Sequence, residues 1–367
     1  MNPNGITGAA TRNGEDSEPR NILILKPSSL GDVIQALPVL RLLRRRYPAS
    51  RIYWWLLSDL APLLERDPDL SGLILFDRKG WRHLASWGPM IRSFRQIRRQ
   101  EFDWVIDLQS LLRSALLAWI SRAKLTIGLD DPREGAGTFY DMRVPRGSFH
   151  VHAVDWYLEV LRKLQVPVDR DFDWIPVHSA AREIVRRLGQ PEKGDWIVLN
   201  PGARWTNKRW PAEYYAQLAG LLSSEKPAPR FVILGGTGDQ ELGDQIARAN
   251  PGRCLDLTGR TTLPEMVEWI RFSRLMVTND TGPMHVAAAL GKPVVALFGP
   301  TEPHRTGPYG QFDHVLQHPL ACRPCMKASC HYEKNQECLR GIKPERVARA
   351  VQDHWRGDAA CQSRAMP

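Results

Sequence analysis

No stretch of this chain approaches the ~20 consecutive apolar residues that a membrane-spanning helix needs. Its longest apolar runs are short, as at Ala115–Ile120 and Pro293–Phe298. Residues 1–20 (MNPNGITGAATRNGEDSEPR) lack the apolar core of a secretory signal. Both absences imply a cytoplasmic location. There, 6 cysteines among 367 residues read as thiols or metal ligands rather than disulfides. No low-complexity tract is present, and 43% hydrophobic with 25% charged residues excludes a disordered, collagen-like or coiled-coil protein. The Walker phosphate loop is absent. The run Gly235-Gly-Thr-Gly-Asp-Gln-Glu241 places a glutamate where the dinucleotide fingerprint needs its third glycine, so a nicotinamide dehydrogenase is excluded and the run reads as a turn able to approach a nucleotide. Paired zinc-finger spacing, RNP-like aromatic strands and leucine heptads are also missing, which argues against nucleic acid as a partner.

What is present is an alternation. The length implies two domains. Asn21–Lys26 is a continuous apolar run suited to a strand buried on both faces, and Val33–Arg46 follows with a helical stripe at Ile34, Leu37, Leu40 and Leu43. Further strands are expected at Arg51–Leu57, Leu73–Phe76 and Trp104–Leu108, with helices at 84–99 and 111–121. Prolines and charges over 166–195 interrupt this rhythm and mark a domain junction. It restarts with strands at Trp196–Asn200, Phe231–Gly235, near Leu255, Leu275–Thr278 and Val294–Phe298, separated by helices at 211–223, 239–249, 263–271 and 283–290. Such alternation means two parallel sheets covered by helices, with the ligand site in the cleft between them. The excess of 50 basic over 40 acidic residues, +10, suits a polyanionic partner: nucleic acid, an anionic membrane surface or a phosphorylated substrate. The basic helical stretch Met90–Gln100 fits a lipid surface or an ordinary solvated face.

Three strand-to-helix loops carry chemistry. In Lys26-Pro-Ser-Ser-Leu-Gly-Asp32, Ser29 and Gly31 build a turn, and Asp32 is either a helix cap or a carboxylate acting as general base. Asn200–Pro211 (NPGARWTNKRWP) offers Arg204, Lys208 and Arg209 with the Thr206 hydroxyl, a composition suited to phosphate. In Asn279-Asp-Thr-Gly-Pro-Met-His285, Thr281 and Gly282 open a helix whose N-terminus favours an anion, while Asp280 can orient the loop or accept from a ribose. Four cysteines, Cys322, Cys325, Cys330 and Cys338, fall within 17 residues. They could hold a structural zinc, with His331 as an alternative ligand, or remain packed or redox-sensitive thiols.

NILILKPSSLGD at 21–32, NPGARWTNKRWP at 200–211 and TNDTGPMHVAAALGKPVVALFGPT at 278–301 together resemble glycosyltransferase family 9, the ADP-heptose:lipopolysaccharide heptosyltransferases, over roughly residues 21–350. The resemblance implies an α/β fold of GT-B type: two Rossmann-like parallel-sheet domains facing a central cleft. After a polar leader at 1–20, the acceptor-side domain would span 21–172 and the nucleotide-sugar domain 173–343, with a final helix at 344–357 returning to the first domain. It implies inverting sugar transfer without metal or other cofactor, from a nucleotide-sugar donor to a lipid-linked oligosaccharide acceptor at the inner membrane surface, the enzyme being cytoplasmic or peripheral on the inner leaflet. Asp32 matches the base; Lys208 matches the lysine holding the diphosphate; Ser29, Gly31, Thr206, Asp280, Thr281, Gly282 and His285 fall in the donor-binding blocks. Another GT-B enzyme, such as an epimerase or a transferase of a different sugar, and a basic nucleic-acid-binding module are the competing readings.

Overall fold

The structure is a computed structural model that describes residues 18–77, 87–131, 133–190 and 195–362. The expected leader lies outside the described residues as far as residue 17, as do the first three residues of the helix expected at 84–99. In chain order the first unit contains β1 (Asn21–Leu25), α1 (Leu30–Arg46), β2 (Arg51–Leu57), α2 (Ala61–Leu64), β3 (Gly72–Phe76), α3 (Trp87–Arg99), β4 (Trp104–Asp107), α4 (Leu112–Ser121), β5 (Leu125–Asp130), β6 (Met142–Pro145) and α5 (Ala153–Lys163). The second contains α6 (Ser179–Gly189), β7 (Trp196–Asn200), α7 (Ala212–Leu222), β8 (Arg230–Ile233), α8 (Gln240–Ala249), β9 (Cys254–Asp256), α9 (Leu263–Phe272), β10 (Leu275–Asn279), α10 (Gly282–Ala289), β11 (Val294–Phe298), α11 (Pro303–Thr306), β12 (Val315–Gln317), α12 (Glu337–Arg340) and α13 (Pro344–Gln362).

Each unit is a six-stranded parallel sheet. The first has the order β3-β2-β1-β4-β5-β6 and the second β12-β11-β10-β7-β8-β9. Renumbered within its own unit, the second is also 3-2-1-4-5-6, the doubly wound order whose ligands bind beyond the strand carboxyl ends. The central strands β1, β7, β10 and β11 are buried along their whole length, because helices cover both faces. On one face of the first sheet Ile97 of α3 and Ala115, Leu117 and Ala118 of α4 pack over Leu23, Leu25 and Val105. On the other, α1 and α5 join a cluster that runs without a break into the second unit, through Val198, Met266, Met284 and Val294. Arg41 of α1 fastens the connecting segment, pairing with Asp67 at 2.5 Å and donating to the Trp174 carbonyl at 2.9 Å.

The last helix departs from expectation. Its side chains Val347, Ala348, Val351 and Trp355 pack with Leu199, Tyr215 and Phe231, and Trp355 donates to the Pro227 carbonyl. Its described side chains thus cover the second sheet instead of returning to the first unit. The physical reason is that its apolar stripe finds α7 and β11 of the second unit beside it. Among the described residues, no helix is long and apolar enough to cross a membrane.

Candidate active site

Lys26 directly follows strand β1, and the turn after it aims α1 into the cleft. Asp32 is the third residue of α1. Its Oδ2 accepts from the Ser29 N–H at 2.8 Å and the Ser29 hydroxyl at 2.7 Å, so the carboxylate does tie down the helix start. Oδ1 takes no part in that cap and stands 3.9 Å from Lys26 Nζ, with the side chain 43% exposed. Lys26 is buried; it donates to the Leu108 carbonyl at 2.9 Å and lies 5.0 Å from the centre of the Tyr157 ring. Desolvation opposes the charged form of Asp32, but the Lys26 ammonium and the Ser29 hydrogen bonds outweigh it, and the carboxyl titrates below its ordinary value. The cap and the reactive carboxylate are therefore compatible: one oxygen for each.

The opposite wall comes from the second unit. Lys208 Nζ donates to Asp280 Oδ2 at 2.5 Å and stands 4.7 Å from the centre of the Trp205 ring. The same oxygen accepts from the Thr301 hydroxyl at 2.6 Å. Asn279 binds the two loops together, accepting from the Trp210 N–H and donating to the Pro201 carbonyl. Helix α10 starts at Gly282 with Thr281 as its N-cap, which points unpaired backbone donors and the positive dipole end at the cleft.

The two units meet through glycines. A Cβ on Gly31 would fall 2.4 Å from the His285 ring, and one on Gly282 would fall 2.9 Å from the Leu30 side chain. Each helix start thus receives a side chain of the other. His285 is buried, and its Nδ1 lies 3.3 Å from Gln35 Nε2. Burial lowers its pKa more than the Asp280 and Asp32 carboxylates raise it, so the ring is neutral at pH 7.

Ser29, Gly31, Asp32, Lys208, Asp280, Thr281, Gly282 and His285 all line one cleft of about 390 Å³, with Leu30, Gln35, Arg204, Trp205, Pro283 and Thr306. Thr206, expected among the donor ligands, is exposed on the turn beside Trp205 and does not line that cleft. A second cavity of about 260 Å³ opens from the first along Leu30, Arg204, Thr281 and Pro283; Leu234, Leu263 and Met266 give it an apolar wall, and Gly235 and Gly236 another. The glycine turn that fails as a dinucleotide fingerprint therefore does border the site. Lys26, Gln35 and Thr301 escaped the sequence reading. Only Lys26 left a signal, as a lysine directly after a strand buried throughout.

The four clustered cysteines line one cavity of about 250 Å³ with His331. Among the described residues, no three ligating side chains stand where they could hold a metal ion. Burial raises the Cys338 thiol to about 11. The cavity also includes Asn207, whose Nδ2 donates to the Lys327 carbonyl at 2.8 Å. It therefore backs the Lys208 turn and is not remote from the cleft.

Two doubly wound sheets, facing across a cleft that sets a carboxylate on one side and cations with a helix N-terminus on the other, define a transferase of the GT-B class. The comparisons with known proteins are more specific. Residues 90–336 match glycosyltransferase family 9 (heptosyltransferase), and the chain belongs to that family. Lipopolysaccharide heptosyltransferase 1 of Pseudomonas aeruginosa is 28% identical over 349 residues, spanning 89% of this chain and 96% of its own. Lipopolysaccharide heptosyltransferase 2 of Salmonella typhimurium is 29% identical, with the same two coverages, 89% and 96%. Among solved structures, the Escherichia coli ADP-heptose lipopolysaccharide heptosyltransferase II superposes with a TM-score of 0.75 at 26% identity, over 92% of this chain and 99% of that one. A family 9 glycosyltransferase from Veillonella parvula gives 0.78 at 28%, over 93% and 99%. The chain is thus a glycosyltransferase, and the readings as an epimerase or a nucleic-acid module fall away.

Proposed function

We propose that this enzyme transfers a heptose from ADP-heptose to the inner core of lipopolysaccharide, with inversion at the anomeric carbon and without a metal ion. The observation that carries the reading is that Asp32 and Lys208, from opposite units, line one cleft. The first unit (21–172) takes the acceptor and the second (173–343) the donor. Asp32 Oδ1 accepts the proton of the acceptor hydroxyl as its oxygen attacks the anomeric carbon. The bond from that carbon to the diphosphate breaks, and ADP leaves with the electron pair. Negative charge grows on the diphosphate as it departs. Lys208, Arg204 and the N-terminal donors of α10 are the groups that meet it. Asp280, held by Thr301, keeps Lys208 extended along the cleft wall until the diphosphate competes for it. The adjoining apolar cavity takes the base, with Gly235 and Gly236 allowing close approach. Ser29 and Gly31 shape the floor; His285, neutral and buried, keeps the two helix starts in register. Thr206 stands next to Trp205, one residue outside the cleft lining, and offers its hydroxyl to the donor from that turn. The enzyme works in the cytoplasm, at the inner leaflet where its lipid-linked acceptor is made.

Incubation with ADP-heptose and heptose-deficient lipopolysaccharide, with ADP release and glycolipid mass as readouts, tests this. A panel of other nucleotide sugars fixes the donor. Turnover of a uridine or guanosine donor with none for ADP-heptose would refute the assignment.

A further inference from the structure

Helix α4 has an unusual exposed face. Its sequence, Leu112-Arg-Ser-Ala-Leu-Leu-Ala-Trp-Ile-Ser121, contains a single charge. One stripe, with Ala115 and Ala118, is buried in the core. The stripe at Leu112, Leu116 and Trp119, spaced i, i+4 and i+7, faces solvent, and Trp119 is 63% exposed. Among the described residues, the ring that Trp119 meets is the half-buried Phe139, edge to face at 6.5 Å. A helix apolar all round belongs in a core or against something apolar.

The surroundings select what covers it. Helix α3 packs beside α4 and presents exposed Arg95, Arg98 and Arg99. Arg122, exposed, closes the carboxyl end of α4. Acidic groups are sparser: Glu134 accepts from the Leu112 N–H, and Asp103 pairs with Lys124. An apolar stripe with a tryptophan, bordered by arginines, is the composition of a helix lying in the headgroup layer of an anionic bilayer. Position agrees. The Leu108 carbonyl, which binds Lys26 beneath Asp32, belongs to the loop that runs from the carboxyl end of β4 into α4, so the helix starts at the same end of the first sheet as Asp32.

We infer that the outer face of α4, with the arginines of α3, docks this enzyme on an anionic lipid bilayer beside its acceptor. The inference deepens the reading of a lipid-linked acceptor, but the binding itself does not depend on which sugar is transferred. The test uses the full chain and co-sedimentation with vesicles of phosphatidylethanolamine and phosphatidylglycerol, against vesicles of phosphatidylcholine alone. Binding to the anionic vesicles should be strong at low salt and should weaken as salt is added. In Leu116→Ser/Trp119→Ser the partition should fall roughly ten-fold or more. In Arg95→Gln/Arg98→Gln/Arg99→Gln it should fall roughly five-fold per arginine. Calorimetry with ADP reports separately on the cleft. Unchanged ADP affinity in a variant shows that it is folded; loss of ADP binding in the wild type counts against the proposed activity and leaves the vesicle result standing. Equal partition of wild type and both variants overturns the inference. So does a wild-type dimer in sedimentation velocity that Trp119→Ser dissociates while no vesicle binding is seen, which would assign the face to a second copy of the chain.

Discussion

Asp32→Asn separates capping from chemistry, because an amide at the third helical position can still reach back to the N–H of the N-cap residue, Ser29. An asparagine carbonyl oxygen can still accept from the Ser29 N–H that now donates at 2.8 Å. The charge is what disappears. Two unit charges ~4 Å apart attract by about 4 kcal/mol at an effective dielectric of ~20. The Asp32 side chain is 43% exposed, however, and its Oδ1 lies 3.9 Å from Lys26, so solvent screening reduces the pair to about 1 kcal/mol. Lys26 keeps the Leu108 carbonyl and the Tyr157 ring. A melting-temperature loss of only a few degrees, about 2–4 °C per kcal/mol for units of this size, is expected. The chemical cost is far larger. A general base contributes ~10²–10⁴-fold, which is about 3–5 kcal/mol of barrier. Melting temperature, ADP affinity by calorimetry and turnover by ADP release therefore give three readings on one variant, and the expected set is nearly unchanged, unchanged and at least ~100-fold lower. A folded Asp32→Asn enzyme with turnover within a few-fold of wild type would refute the base and leave Asp32 as a cap. Asp32→Ala then adds a check, since only the alanine should lose the ~1 kcal/mol of the cap.

Lys208→Ala should weaken ADP binding by ~1.5–3 kcal/mol, the value of a hydrogen bond to a charged group, without unfolding the protein; unaltered affinity and turnover would remove Lys208 from the site. Gly31→Ala should lower turnover and stability together, because the added methyl falls 2.4 Å from the His285 ring, and Gly31→Ala/His285→Ala should recover part of the stability if that contact is the cause. His152 links the units: its Nδ1 accepts from the Val154 N–H at 3.2 Å, so Nε2 carries the proton and lies 3.1 Å from the Gly307 carbonyl. Burial depresses this imidazole to about 4, so the neutral ring's contribution is complete above the ordinary imidazole range and declines as pH falls from about 6.5. Melting temperatures should drop over that window, and His152→Asn should flatten the drop; an equal slope in both would sink the assignment. Removing the ammonium with Lys26→Met should raise the pKa on the acid limb of the pH–rate profile, because that charge holds the Asp32 carboxyl down; an unmoved limb would separate Lys26 from Asp32.

The central strands and the three loops after β1, β7 and β10 were legible because each is a local signal: a run buried on both faces, then small residues, then a helical stripe. The edges were not. Strand β5 carries Gly128, which reads as a breaker, yet a Cβ there would strike the Tyr140 ring at 2.3 Å, so the glycine serves packing. Strands β6 and β12 have only 4 and 3 residues, too few for a period to show. Helix α5 is missing from the sequence reading although Val154, Tyr157, Leu158 and Leu161 form its buried stripe. Helix α6, with Arg186 and Arg187 near its end, is hidden in a stretch whose prolines and charges read as a junction. Within the site, the loops could be found but not their partners. Gln35 and His285 are 250 residues apart, and Thr301 reaches Asp280 from another loop. Such pairings follow from the closing of two units on one another and leave no spacing to detect. The final helix failed for a related reason, since its apolar stripe states that it packs and not on which sheet.

The reciprocal glycine contacts at Gly31 and Gly282 make the cleft a machine with one lever. Neither helix start can slide past the other, because each is keyed by a side chain of the opposite unit. Any separation of the two units would move Asp32 away from the Lys208 wall by the same stroke, because the two side chains line the cleft from opposite units. Base and leaving-group contacts therefore engage and release together. On the proposed mechanism, the stroke that admits or releases ADP therefore parts the carboxylate from the cation wall at the same moment.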